Sequence, residues 1–263
     1  MVIRYENCST DRYYQIVGSD EKIDPTFMDF GLLDLNHGSI YENVEKKERV
    51  FLLLSGSAVF EAGDLNATLT RESFIKENPS CLHVDLHQAV KITSQSPYTE
   101  IAVIKTYNDK CFKPVIFSPE QCRTEERGKG TMSETATRMV RTVFDKSNAP
   151  LSNLVVGEVV TPPGKWSSYP PHFHAQPEIY HYRFMPENGF GYAGLADKVF
   201  KIYNNDTIKI LDSRSHPQVA APGYVMFYIW IIRHLDSNPY IQPVFEPEHI
   251  WVMDKVTTNN KED

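Results

Sequence analysis

The feature that most constrains this chain is the spacing of its short apolar runs. In the first half they cover residues 49–54, 58–60, 67–69, 73–75, 83–86, 89–92 and 100–104, with turn residues such as Ser55-Gly56 and Gly63-Asp64 between them. A second series covers 154–160, 178–184, 198–203, 207–211, 218–220 and 224–233. Short β-prone segments at regular spacing, each ended by Gly, Asn, Asp, Ser or Pro, are the pattern of a sandwich or barrel. The chain is therefore expected to be all-β, with two strand-rich halves of similar layout and a few short helices. Its 17 prolines and 12% aromatic residues suit strands and turns better than long helices.

Residues 118–147 differ in character. Ser118-Pro119-Glu120 predicts a helix start, with Ser as the cap and Pro at the first helical position. Glu125-Glu126-Arg127-Gly128-Lys129-Gly130 is charged and glycine-rich, so a solvated linker is expected there, and 138–144 predicts a further strand. A boundary at residue 117 follows, giving units of 1–117 and 118–263. The polar tail 257–263 is expected to fray.

Composition narrows the function classes. With 41% hydrophobic and 23% charged residues, the chain has enough apolar surface to offset the entropy of folding, so disorder is excluded. A net charge of −7 disfavours a general nucleic-acid binder, which carries a basic footprint. The most apolar run, residues 225–232, is far shorter than the roughly 20 residues a membrane span needs. Met1-Val2-Ile3-Arg4-Tyr5-Glu6-Asn7 shows no secretory pattern. The four cysteines, Cys8, Cys81, Cys111 and Cys122, form no Cys-x-x-Cys pair. A reduced, cytoplasmic protein with buried or inert thiols is expected. Exposed sheet edges favour a homo-oligomer.

One segment carries chemistry. In Pro171-His172-Phe173-His174-Ala175-Gln176-Pro177-Glu178, the strand period of two puts His172 and His174 on one face. After a turn at Ala175-Gln176-Pro177, Glu178 can enter the next strand pointing the same way. Two imidazoles and a carboxylate converging inside a barrel suit one divalent ion such as Zn, Mn, Fe or Ni. His216 is the best candidate for a fourth ligand. Glu178, Tyr180 and Tyr182 share one face of their strand, while His181 and Arg183 share the other. Tyr180 and Tyr182 are candidates for the cavity lining. His83 and His87 flank Asp85, but four residues along a strand separate them by roughly 13 Å, so they are expected to be structural. Glu125, Glu126, Arg127 and Lys129 are expected to form a solvated charge run.

These residues resemble a known family. His172-x-His174-x-x-x-Glu178 followed by His216 is similar to the cupin metal motif pair. Residues 125–130, 156–172, 178–180, 189–192 and 216–224 are more specifically similar to the 5-deoxy-glucuronate isomerase family, which is related to 4-deoxy-threo-hexosulose-uronate isomerase of pectin breakdown. The resemblance implies a bicupin: an N-terminal degenerate barrel over 1–117 and a metal-binding barrel over 118–263. It implies His172, His174, Glu178 and His216 as metal ligands. It also implies an aldose–ketose isomerisation in myo-inositol catabolism, in which a proton moves between C1 and C2 of a sugar acid. Tyr180 or a carboxylate such as Glu178 would shuttle that proton, and the substrate carboxylate would meet Lys165, Arg183 or Arg214. The segment Tyr180-His181-Tyr182-Arg183 departs from the family's usual order and shifts a histidine to the other strand face. Two further readings stand beside this one: another metal-cupin enzyme, either a dioxygenase or an isomerase of a different sugar acid, and a non-catalytic cupin that binds a small molecule.

Overall fold

The computed structural model describes residues 2–4 and 11–253, so Cys8 and the 257–263 tail lie outside the described residues. Within them the chain is all-β, and its helical content is two short 3-10 turns, Met132–Glu134 and Pro247–Met253. The strands from Arg12–Val17 to Val115–Phe117 join in one nine-stranded array. A seven-stranded antiparallel sheet then runs in the order Val2–Ile3, Thr207–Ile210, Glu178–Met185, Val225–Arg233, Leu154–Thr161, Arg138–Phe144, Arg123–Arg127. Val2–Ile3 thus leaves the half it belongs to in sequence and pairs with Thr207–Ile210 at the far edge of this sheet.

The register of the seven-stranded sheet decides what reaches the site. Glu178, Tyr180 and Tyr182 lie opposite Ile232, Trp230 and Tyr228. Trp230 and Tyr228 in turn face Gly157 and Val159, Val159 faces Val140, and Arg138 faces Arg127. Directly paired residues project to one side of a sheet, so all of these share a face. The opposite face carries Arg141, Val156, Glu158, Ile179, His181, Phe227 and Ile229. Its apolar members pack with Phe30, Leu52, Leu54 and Ile104 of the first half in one core cluster. A second cluster, including Phe51, Leu53, Phe60, Leu82, Ile92 and Ile101, fills the interior of the first half with side chains.

Charge crosses the same junction. Arg71 makes two 2.7 Å hydrogen bonds to the two carboxylate oxygens of Glu158, and both residues are fully buried. Glu48, also buried, accepts from His83 at 2.8 Å, from Asn108 at 2.7 Å, from the Asn153 amide at 2.9 Å and from Ser152. Burial by itself raises the Glu48 carboxyl, but the bonds from His83, Ser152 and Asn153 outweigh it and hold the group below its usual range. His83 therefore pairs with Glu48, while Asp85 accepts the amides of His87 and Phe112.

Several local expectations are corrected. The strands expected at 49–54 and 58–60 are one strand, Glu48–Ala62, which bends where its register shifts between Leu53 and Ser55. Gly56 makes that possible: its φ is +93°, and a Cβ there would stand 2.4 Å from the Tyr98 carbonyl oxygen. Residues 73–75 form a turn instead of a strand, and the carbonyls of Phe74 and Ile75 accept from Arg141. Ser118-Pro119-Glu120 starts a single turn closed by Gln121, without a helix. The first half of the expected linker at 125–130 belongs to strand Arg123–Arg127, which pairs with Arg138–Phe144, and residues 128–130 form a turn. Strands Arg12–Val17, Met28–Asn36 and Ile40–Asn43 escaped the apolar-run pattern. Met28–Asn36 is buried along almost its whole length, so it lacks the alternation of a half-exposed strand.

Candidate metal centre

His172–Phe173 is a two-residue strand tied to Val244–Phe245 of the C-terminal segment. The chain bends at Ala175-Gln176 and enters strand Glu178–Met185 at its first residue. His216 precedes strand Gln218–Ala220, and Gln218 anchors the loop by donating to the His216 carbonyl at 2.6 Å. Gln218 is itself held by the Tyr182 hydroxyl at 2.7 Å.

These elements bring His174, Glu178 and His216 together, with one ligand-type atom from each lying within 4.8 Å of the others and all three residues buried. Glu178 Oε2 is 3.1 Å from His174 Nε2 and 3.3 Å from His216 Nε2. His172 stands alongside the group, its ring edge-on to His216 with centroids 4.8 Å apart. All three rings are oriented by the same device: Nδ1 contacts the carbonyl of Pro170 in His172, of Gln176 in His174 and of Arg214 in His216, at 2.9–3.0 Å. A carbonyl only accepts, so each Nδ1 carries a proton, and a ring in its neutral form keeps its lone pair at Nε2. His216 Nε2 is buried without a hydrogen-bond partner. Burial pushes the His172 and His216 pKa values down, which keeps these rings in the neutral, ligating form.

This donor set fits a divalent cation. Neutral imidazole nitrogens facing a carboxylate oxygen repel one another unless something positive lies between them, and a first-row ion takes that mix of nitrogen and oxygen donors. A second group of metal-capable residues, Glu246, Glu248 and His249, lies nearer the surface and lacks that buried arrangement.

Beside the group is a cavity of about 310 Å³ whose lining includes Arg138, His172, His174, Glu178, Tyr180 and Trp230. Tyr180 stacks on Tyr228 with centroids 4.5 Å apart. Its hydroxyl is 3.0 Å from Ser168 Oγ, which lies 3.2 Å from the Tyr228 hydroxyl. Burial, with the Glu178 charge adding to it, holds the Tyr180 phenol well above its ordinary pKa, so it stands as a neutral proton donor. Gly157 leaves room for Trp230 in the cavity wall, since a Cβ there would come within 2.3 Å of the indole.

The three cations expected to meet a substrate carboxylate lie elsewhere. Arg183 points to the other sheet face, where it pairs with Glu100 and donates to Asn205. Arg214 is exposed and paired with Asp212 at 3.1 Å, and Lys165 is not among the residues lining the cavity. His181 likewise turns away, with Nδ1 2.9 Å from Thr207 Oγ1 and its ring against Phe30. The basic residues that line the cavity are Arg123, Arg127, Arg138 and Lys146. Arg123 follows the expected helix start and Arg127 comes from the expected solvated run. The five residues Arg123–Arg127 are all polar, so no apolar alternation marks the strand that carries both to the cavity. Tyr240, whose ring is 4.9 Å from that of His174, was also missed, because nothing local marks a loop that folds back onto a distant site.

Three cysteines are described. All three are free thiols: Cys81 and Cys122 are buried, with burial pushing the Cys122 thiol up to about 11, and Cys111 is exposed.

Fold and site together define a cupin-type protein with a buried candidate metal centre. The model of the KduI/IolB family matches residues 2–252, and the chain belongs to that family. A curated relative from Bacillus subtilis (strain 168), named 5-deoxy-glucuronate isomerase, is 26% identical over 255 residues, covering 88% of this chain and 90% of that protein. One of the same name from Halalkalibacterium halodurans is 25% identical over 256 residues, covering 87% and 88%. An IolB-like protein from Salmonella typhimurium LT2 shares the fold at a TM-score of 0.83 and 22% identity, over 96% of this chain and 98% of that one. Oxalate decarboxylase from Lactobacillus farciminis shares it at 0.67 and 10% identity, over 92% and 86%.

Proposed function

We propose that this protein is a metal-dependent aldose–ketose isomerase of a uronate-type sugar acid, with 5-deoxy-glucuronate as its substrate, acting in cytoplasmic inositol breakdown. The observation that carries the reading is the inward convergence of His174 Nε2, His216 Nε2 and Glu178 Oε2 next to the Tyr180 hydroxyl. The curated relatives' shared name supplies the substrate. His172 is the fourth ligand in this reading, supported by its carbonyl-fixed Nδ1. The halves before and after residue 117 act as two cupin units, the first filled by its own apolar side chains. A homo-oligomer is part of the same proposal.

Isomerisation moves one proton between neighbouring carbons while negative charge develops on their oxygens. A bound divalent ion supplies Lewis-acid stabilisation of that charge. The chain's own residues do the rest. His172, His174, Glu178 and His216 fix the centre. Trp230, Tyr228 and Tyr240 form the aromatic part of the cavity wall. Tyr180 holds a proton at its hydroxyl oxygen, linked through Ser168 to Tyr228. The test is NMR of the full chain with 5-deoxy-D-glucuronate, with and without a chelator. Keto product that disappears on chelation and returns with added metal is expected. No keto product with any divalent ion overturns the proposal.

A further inference from the structure

Arg138 is buried, 6% exposed, and lines the cavity beside His172. Every other cation there is committed. Arg123 is paired with Asp145 at 2.6 Å, Arg127 with Glu125 at 2.7 Å, and Lys146 donates to the carbonyls of Pro150 and Ser152. Arg138 donates from Nη1 to the Ala136 carbonyl at 2.9 Å, its Nε has no partner, and among the described residues it has no carboxylate. A buried guanidinium without an anion leaves its desolvation uncompensated. The strand register worsens this, because Arg127 lies directly opposite Arg138, and like charges in that position are unfavourable. The two arginines also line an adjoining cavity of about 500 Å³ that shares His172 with the first. One uncompensated positive site thus stands at the junction of two cavities, next to the candidate metal centre.

We infer that Arg138 receives the carboxylate of the substrate, with Arg127 adding to the positive field at the same end. Resting on the sugar-acid reading above, this assigns the residue that selects an acid over a neutral aldose. A guanidinium presents parallel N–H donors that match a carboxylate. Anchoring the acid end there would leave the carbonyl end free to turn toward Tyr180 and the His/Glu group. Arg138 takes over the role expected for Lys165, Arg183 and Arg214, none of which lines the cavity.

The experiment titrates the full-length protein with D-glucuronate and with D-glucose, its neutral counterpart, by calorimetry. The wild type is expected to prefer the acid by roughly tenfold or more, the scale of one charge-assisted contact. Arg138→Gln should erase that preference with metal content unchanged, and Arg138→Lys should restore part of it. Arg138→Met, which keeps the aliphatic stem, replaces Arg138→Gln if the latter fails to fold. For turnover of 5-deoxy-D-glucuronate, KM should rise more than kcat falls. A folded, charge-free variant that keeps the full preference overturns the inference, as does a wild type with no preference. The two readings fail separately. Turnover with an Arg138-independent preference sinks the carboxylate receptor alone. An Arg138-dependent preference without turnover sinks the isomerase alone.

Discussion

His216 Nε2 stands 3.3 Å from Glu178 Oε2 and has no hydrogen-bond partner, while the same oxygen lies 3.1 Å from His174 Nε2. The Nδ1 of each ring is committed to a backbone carbonyl, so a neutral ring at either position turns its Nε2 lone pair, not a proton, toward that oxygen. Acceptors facing acceptors are costly in a buried site, and a bound cation removes the cost.

Replacing His174 with Ala therefore should strip the centre of its ion while leaving the β-scaffold intact. We expect metal content, by elemental analysis, to fall at least about tenfold, since even partners outside the ligand set cost that much, and turnover to fall with it. Unchanged metal in the folded variant would show that the ion binds elsewhere.

The Tyr180 hydroxyl makes a prediction separable from metal binding. Tyr180→Phe keeps the ring stacked on Tyr228 but removes the proton donor. Loss of a positioned acid or base costs about 10²–10⁴ in rate, so kcat should drop by at least about a hundredfold with metal content unchanged. Full activity in this variant would assign the proton transfer to another group.

The Arg71–Glu158 pair joins the two halves without reaching the cavity. Glu158→Met would leave Arg71 and Arg141, 3.6 Å from that carboxylate, buried without an anion, and removing one partner of a buried pair costs about 3–5 kcal/mol. Urea unfolding should show a loss of that order for Glu158→Met and a smaller one for Arg71→Met, which leaves Glu158 beside Arg141. Equal losses would mean that Arg141 does not compensate Glu158.

Glu48 gives stability a pH dependence of fixed sign. Its carboxyl is held below the ordinary value of 4.5 in the folded chain, so the folded state favours the ionised form. The contribution is fully present above that value and is lost as pH falls through the depressed folded-state pKa. Thermal melts of wild type and Glu48→Gln should differ most near neutral pH and converge under acid. A gap independent of pH would place the stabilisation in packing instead of charge.

The sequence by itself determined that this chain is all-β, that 138–144 and 218–220 are strands, and that candidate metal ligands gather around 172–178 with His216. Those features are local: strand alternation, turn residues and His-x-His spacing act over a few positions, and the period of two correctly separated Tyr180 from His181. What only the tertiary structure decided is which charges meet. Arg183 and Arg214 lie close to the motif in the chain but face the inter-half junction and the surface, whereas Arg138, more than thirty positions before His172, is brought to the cavity by its pairing with Leu154–Thr161. Sheet register and the return of Tyr240 over His174 are set by the packing of remote segments. The direction in which a long cationic side chain points depends on that packing, and no stretch of neighbouring residues encodes it.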